Sequence, residues 1–76
     1  MTVLELDCRE MRCPLPVIEL ARHIEDVVIG EAILVVTADA AARVDVPAWC
    51  RLRAQEYVGE QAAADGTPGF LVRRTS

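Results

Sequence analysis

Apolar and polar residues alternate at the start of the chain. Over Val3 to Asp7, Leu4 and Leu6 share one face while Glu5 and Asp7 share the other. A period of two is the mark of a short half-buried strand. The period then changes. Beyond a charged loop, Cys8 to Cys13, the apolar residues Val17, Leu20, Ala21, Ile24 and Val28 recur at helical spacing, and Glu19, Arg22, His23, Glu25 and Asp26 fill the opposite side. This predicts an amphipathic helix. Pro14 suits its first turn, where a backbone N–H would go unused, and Gly30 ends it. Ala32 to Ala38 is a continuous apolar, β-branched run, which predicts a central strand covered on at least one face. Asp39 is placed to cap a second helix, Ala41 to Ala54. Pro47 should kink or divide that helix, and Val44, Ala48 and Leu52 mark its inner face. Glu56 to Ala64 is a third strand, weakened by Gly59. Asp65-Gly-Thr-Pro-Gly69 is a turn cluster, and Phe70 to Arg73 is the last strand.

The predicted order is βαβαββ. Two helices on one face of a four-stranded mixed sheet would bury all the apolar faces, so the fold class is α+β, a two-layer α/β sandwich. No repeat, low-complexity segment or linker interrupts it, and residues 1–76 form a single domain. With 76 residues there is room for one core and none for a deep substrate pocket. Chemistry must therefore sit at the surface or in a site that a partner completes.

Charge and residue usage narrow the function. The chain holds 8 basic and 12 acidic residues, a net charge of −4, which argues against direct binding of nucleic acid. Every basic side chain other than His23 is Arg, so a Schiff-base or P-loop lysine is excluded. No apolar run approaches the roughly 20 residues of a membrane span. The first residues carry acids where a secretory signal has a basic and then an apolar run. Three cysteines, an odd number, do not suggest a disulfide framework. These features point to a reducing, cytoplasmic setting with free thiols.

The chemistry concentrates in Arg12-Cys13-Pro14-Leu15-Pro16. Cys13 falls at the predicted N-cap of the first helix, where the macrodipole places about half a positive charge. Such a position lowers a thiol pKa, and Arg12 and Arg9 can add positive potential. Pro14 and Pro16 stiffen the junction and remove two N–H groups. The Leu15 and Val17 N–H groups are then left to face a bound sulfur anion. The only histidine, His23, lies ten residues along the same helix, roughly 15 Å away at 1.5 Å per residue. Cys13 is thus read as a nucleophile with no acid–base apparatus of its own, which suits a group carrier loaded and unloaded by other proteins.

The run Leu6-Asp7-Cys8-Arg9-Glu10-Met11-Arg12-Cys13-Pro14-Leu15-Pro16 resembles the Leu-Asp…Cys-Pro-x-Pro signature of the TusA/SirA-like sulfur-carrier family. The likeness continues through Gly30-Glu31, the apolar strand, Asp45-Val46-Pro47-Ala48-Trp49-Cys50, Asp65-Gly66 and the closing Phe-Leu-Val-Arg strand. The resemblance implies a persulfide on Cys13. It also implies a cysteine desulfurase or rhodanese-type protein as sulfur donor and a downstream acceptor protein in tRNA thiolation, molybdenum cofactor assembly or sulfur oxidation. It calls for no cofactor, metal or membrane, and the chain is read as a monomer when unbound. The carrier is of sulfurtransferase type and depends on partner enzymes. One departure stands out: Glu10 occupies a position that is often Gly in relatives, so the loop is expected to differ if that position needs a positive φ.

Other residues carry weaker readings. Cys8 is either a second thiol near Cys13 or the last core residue of the first strand, and Cys50 is helix packing. Asp45 either caps the helix segment that Pro47 restarts, the preferred reading, or faces the active end of the sandwich. Trp49 is either core or a docking aromatic. His23 and the Arg73-Arg74 pair are read as solvated. The rival function is a thiol–disulfide redox protein using Cys8 and Cys13, although the Cys-x4-Cys spacing is not the tight redox motif. Three Cys and a remote His make a poor zinc pattern.

Overall fold

The structure is a computed structural model that describes residues 3–76; Met1 and Thr2, the start of the expected domain, lie outside the described residues. Strand β1 (Val3–Asp7) leads into helix α1 (Leu15–His23), which tightens into a 3₁₀ turn (Ile24–Asp26). Strand β2 (Ala32–Val36), helix α2 (Ala42–Leu52) and strands β3 (Glu56–Glu60) and β4 (Gly69–Arg73) follow. The sheet order is β1-β2-β4-β3. β1 pairs parallel with β2, while β4 pairs antiparallel with both β2 and β3. This is the expected α+β sandwich with a mixed four-stranded sheet.

The main core lies between the helices and the sheet. Leu20 and Ile24 from the first helical segment and Val46, Trp49 and Cys50 from α2 pack against Ile33, Val35, Phe70 and Val72. Every residue of β2 is buried, because its other face is covered as well. There, Leu34 and Val36 pack with Ala63 and Leu71. The chain leaves β3 at Glu60, earlier than the predicted end at Ala64, so that this covering segment can cross the sheet. Gly69 permits the crossing: a side chain there would collide with the Gln61 carbonyl and with Leu34.

Both helices differ from their predicted phase or extent. α1 closes at His23, and the 3₁₀ turn has three residues per turn instead of 3.6. That change of pitch rotates Val27 inward, to 6% exposure, and leaves the predicted core residue Val28 at 64%. In α2 the buried stripe is Ala42, Val46, Trp49 and Cys50. The predicted stripe faces out instead, with Val44 70% and Leu52 81% exposed. Both stripes have helical spacing. The one containing Trp49 and Val46 removes more apolar surface from water and so faces the sheet. α2 also runs unbroken across Pro47. The proline forfeits only the bond to the Arg43 carbonyl in the exposed first turn.

The C-terminal arginines are not simply solvated. Arg73 pairs with Glu56 at 2.9 Å. Arg74 donates to the Val27 carbonyl at 2.7 Å, and its backbone bonds to Gly30 and Glu31. The last strand is thereby tied to the turn after the first helical segment.

Candidate functional site

Two backbone segments meet at one end of the sandwich: the loop from Cys8 to Pro14 and the loop that follows β2. Hydrogen bonds between their polar groups set the distance between them. The Cys8 N–H extends the β1–β2 ladder by donating to the Val36 carbonyl at 2.8 Å, and Met11 N–H closes a turn onto the Cys8 carbonyl at 3.0 Å. Thr37 is fully buried. Its hydroxyl donates to the Met11 carbonyl at 3.4 Å and accepts from the Asp39 N–H at 3.1 Å. Asp39 joins the two loops directly: one carboxylate oxygen accepts the Ala41 N–H at 3.1 Å and the other accepts the Cys13 N–H. Asp39 thus serves the entry to α2, as expected, and also fixes the backbone of the candidate nucleophile.

Cys13 is exposed, whereas Cys8 and Cys50 are buried, and all three thiols are free. The N-cap of α1 is Pro14, one residue later than expected. The Leu15 N–H that was to face a sulfur anion is taken by the Arg12 carbonyl at 2.8 Å. Cys13 therefore sits just outside the helix, on the edge of its dipole. Its side chain contacts Asp45, whose Oδ2 accepts the thiol Sγ–H at 2.9 Å. The preferred reading of Asp45 as a cap beyond Pro47 is thus corrected. It lies in the first turn of an undivided α2 and faces the end of the sandwich that carries Cys13.

The electrostatics follow from this placement. The Cys13 thiol was expected to be more acidic than a free one, and it is pushed the other way. The hydrogen bond to Asp45 raises its pKa most, followed by desolvation and by the negative charges of Asp45 and Asp39. About half a charge spread over a helix terminus is outweighed by a full carboxylate in contact with the sulfur. Asp39 itself is lowered by the N–H groups of Cys13 and Ala41. Cys50 is raised to about 11 by burial. Cys8 is raised by burial and then by the charges of Glu19 and Asp7.

The remaining expected site residues distribute as follows. Arg12 is exposed beside Asp39 and helps hold that carboxyl down. Pro14 is exposed, while Pro16 is buried in the first turn of α1. Arg9 is engaged elsewhere: its guanidinium meets Asp7 at 2.9 Å and Asp65 at 3.1 Å. Its charge is matched by carboxylates of β1 and the β3–β4 turn rather than offered to the thiol. Glu10 is exposed, and it does not adopt positive φ; among the described residues the only non-glycine that does is Ala54. The carboxylates that oppose Cys13 ionisation are accordingly Asp45 and Asp39. Cys8 belongs to the core, packed with Leu20, Val35 and Val46. His23 contacts Asp26 at 2.6 Å and Glu19 at 3.6 Å.

A groove of about 320 Å³ opens beside the thiol. Pro14 and Val17 form one wall and Ala48, Trp49 and Leu52 the other, with Cys13 and Asp45 set between them. Trp49 is only 8% exposed, so it is a core residue whose edge also lines the groove. Reading the sequence placed Asp45 at this end only as the less favoured of two alternatives, and it did not single out the groove. The available signal was the surplus apolar stripe of α2, Val44, Ala48 and Leu52, once Trp49 is assigned to the core.

Comparison with known proteins gives the site its context. The chain is 35% identical over 71 residues to the sulfur carrier protein TusA of Pseudomonas fluorescens (strain SBW25), covering 93% of this chain and 84% of that protein. It is 32% identical over 69 residues to the sulfur carrier protein TusA of Pseudomonas entomophila (strain L48), covering 91% of this chain and 85% of that protein. The family model described as Sulfurtransferase TusA matches residues 4–74, and the chain belongs to that family of sulfur carriers.

Proposed function

We propose that this protein carries sulfane sulfur as a persulfide on Cys13. The donor in this reading is a protein persulfide, of the kind a cysteine desulfurase or rhodanese-type protein forms. The Cys13 sulfur attacks the donor's outer sulfur, a new Sγ–S bond forms, and the donor's S–S bond breaks. The donor cysteine leaves as a thiolate, and the Cys13 proton passes to it or to water. Delivery repeats the exchange with an acceptor as nucleophile, in tRNA thiolation, molybdenum cofactor assembly or sulfur oxidation. The observation that carries the reading is the contrast in access: Cys13 is exposed while Cys8 and Cys50 are buried.

The supporting residues have distinct tasks in this account. Pro14 and Pro16 set the loop–helix junction so that the thiol is presented at the surface. Arg12, exposed next to Cys13, offers a guanidinium to carboxylates of a docking partner. The groove formed by Pro14, Val17, Ala48 and Leu52 receives apolar side chains of the same partner. Such a carrier has no substrate pocket of its own, so neither loading nor delivery turns over without a second protein.

Incubation with a cysteine desulfurase and cysteine, followed by intact mass measurement under non-reducing conditions, tests this. The protein should gain the mass of one sulfur atom and lose it on addition of reductant. Cys13→Ser should abolish the gain and Cys50→Ser should retain it. Normal loading of Cys13→Ser would contradict the assignment.

A further inference from the structure

A surface thiol is open to oxidation to a degree that follows its thiolate content and exposure. The groups around Cys13 bear on this. α2 contributes Asp45, with Oδ2 2.9 Å from Sγ, and the loop after β2 contributes Asp39 on the Cys13 N–H. Arg12, the adjacent residue in the chain, acts on Asp39. Further along α1, Glu19 and Arg22 pair with each other at 2.9 Å. Among the described residues, the charges that act on the Cys13 sulfur are therefore those of carboxylates, and Asp45 is in contact with it.

A carboxylate here can do one of two things. As a general base it would draw the proton off and speed attack. As a hydrogen-bond acceptor it would hold the proton on. The ordinary thiol and carboxylate pKa values differ by several units, so the proton stays on sulfur, and an adjacent negative charge makes its removal harder still. The geometry points to Asp45 as a residue that keeps Cys13 in the thiol form in the free carrier, a positioning and restraining group rather than a base. This rests on the reading of Cys13 as the carrier atom and adds how that atom is kept unreactive. The restraint is specific to the empty state. Once Sγ carries sulfur it has no hydrogen to donate, so the bond to Asp45 cannot persist in the loaded form.

The test measures the empty thiol alone and needs no sulfur donor. Wild-type protein and Asp45→Asn are reacted with an uncharged small disulfide, dipyridyl disulfide, across a range of pH. An uncharged reagent is needed because removing a carboxylate would by itself attract an anionic one. Cys13 displaces pyridinethione and forms the mixed disulfide, while buried Cys8 and Cys50 stay silent. Each unit by which a thiol pKa falls raises its thiolate content about tenfold at pH below both values. Lower intrinsic nucleophilicity takes back part of this, leaving roughly a threefold gain. Asp45→Asn should therefore react faster than wild type at neutral pH, by roughly threefold for each unit by which its thiol pKa falls, with its pH profile displaced to lower pH. An unchanged or slower rate overturns the proposal, and a slower one marks Asp45 as a base. Should the variant not fold, the wild-type profile still decides. Its inflection must lie above that of a short unstructured cysteine peptide measured alongside, and an inflection at or below the peptide's overturns the restraint. Sulfur loading of both proteins is recorded separately, so a failure of sulfur carriage is distinguishable from a failure of the restraint.

Discussion

The molecule places the same side chain in two settings that both disfavour the thiolate, for different reasons. Cys50, with Cys8, lies in the core between helices and sheet, where burial removes the solvation a thiolate needs; for Cys50 this raises the pKa to about 11. Cys13 lies at the surface, where the Asp45 carboxylate disfavours the same ionisation by contact. The core thiols are silenced by the fold itself and can change only if it opens. The surface thiol is held back chiefly by one neighbouring carboxylate, with desolvation and Asp39 adding to it, so its ionisation can change without the fold opening. The second arrangement is the one that a docking protein could alter without unfolding the domain.

The largest effect expected from this contrast is in reactivity. Opening a core costs on the order of 5 kcal/mol or more for a domain of ordinary stability. In native buffer at neutral pH, mass-resolved alkylation should thus modify Cys13 at least about a thousandfold faster than Cys8 or Cys50. In denaturant the three rates should converge. Comparable rates in the native protein would mean that the core is open in solution.

Next in size is the division of α2 into a core stripe and a groove stripe. Trp49→Ala should lower the unfolding free energy by about 3–5 kcal/mol, whereas Leu52→Ala, at an exposed position, should stay within about 0.5 kcal/mol of wild type. Equilibrium denaturant unfolding measures both. A large loss at Leu52 with none at Trp49 would restore the phase first read from spacing. Smaller again is Cys50→Ser, which buries a hydroxyl and should cost about 1–3 kcal/mol without touching the groove.

The gap between spacing and structure has a definite cause in these elements. β1, β2, the Asp65–Gly69 turn and the order βαβαββ were legible because period-two alternation, a continuous β-branched run and turn residues each specify local structure on their own. The phase of α2 was not, since Val44-Ala48-Leu52 and Ala42-Val46-Trp49-Cys50 are both helical stripes, and only contact with Ile33 and Phe70 chooses between them. The shift from Val28 to Val27 needed the 3₁₀ turn, which tertiary packing imposes. At the site, Cys13 was legible from its flanking prolines, while the thiol's pKa was misjudged in sign. The helix dipole is a local effect visible in sequence. Asp45, 32 residues further along the chain, becomes a neighbour only through the fold.

The smallest predicted effect lies on the far side of the loop and shows that Arg9 belongs to the scaffold. Its guanidinium holds Asp65 and Asp7 below their ordinary value of 3.8. A depressed carboxylate contributes stability that is present above the unfolded-state pKa and is lost as pH falls through the folded-state value. Arg9→Gln should therefore melt slightly earlier than wild type near neutral pH, and the difference should close as pH drops below the ordinary carboxylate range. Both carboxylates are exposed and Arg9 is only half-buried, so the effect is modest and shrinks with salt. A difference that grows in acid, read from thermal melts at a series of pH values, would remove this assignment.

Whether sulfur resides at the exposed thiol rather than in the core is measured directly by site-resolved mapping of the loaded wild-type protein. After loading by a cysteine desulfurase, persulfides are trapped by alkylation under denaturing, non-reducing conditions and the peptides are separated. The additional sulfur should be found on the peptide containing Cys13, with Cys8 and Cys50 recovered as simple alkylated thiols. Sulfur on Cys8 or Cys50, or a Cys8–Cys13 disulfide as the main product, would contradict the assignment of Cys13 as the carrier.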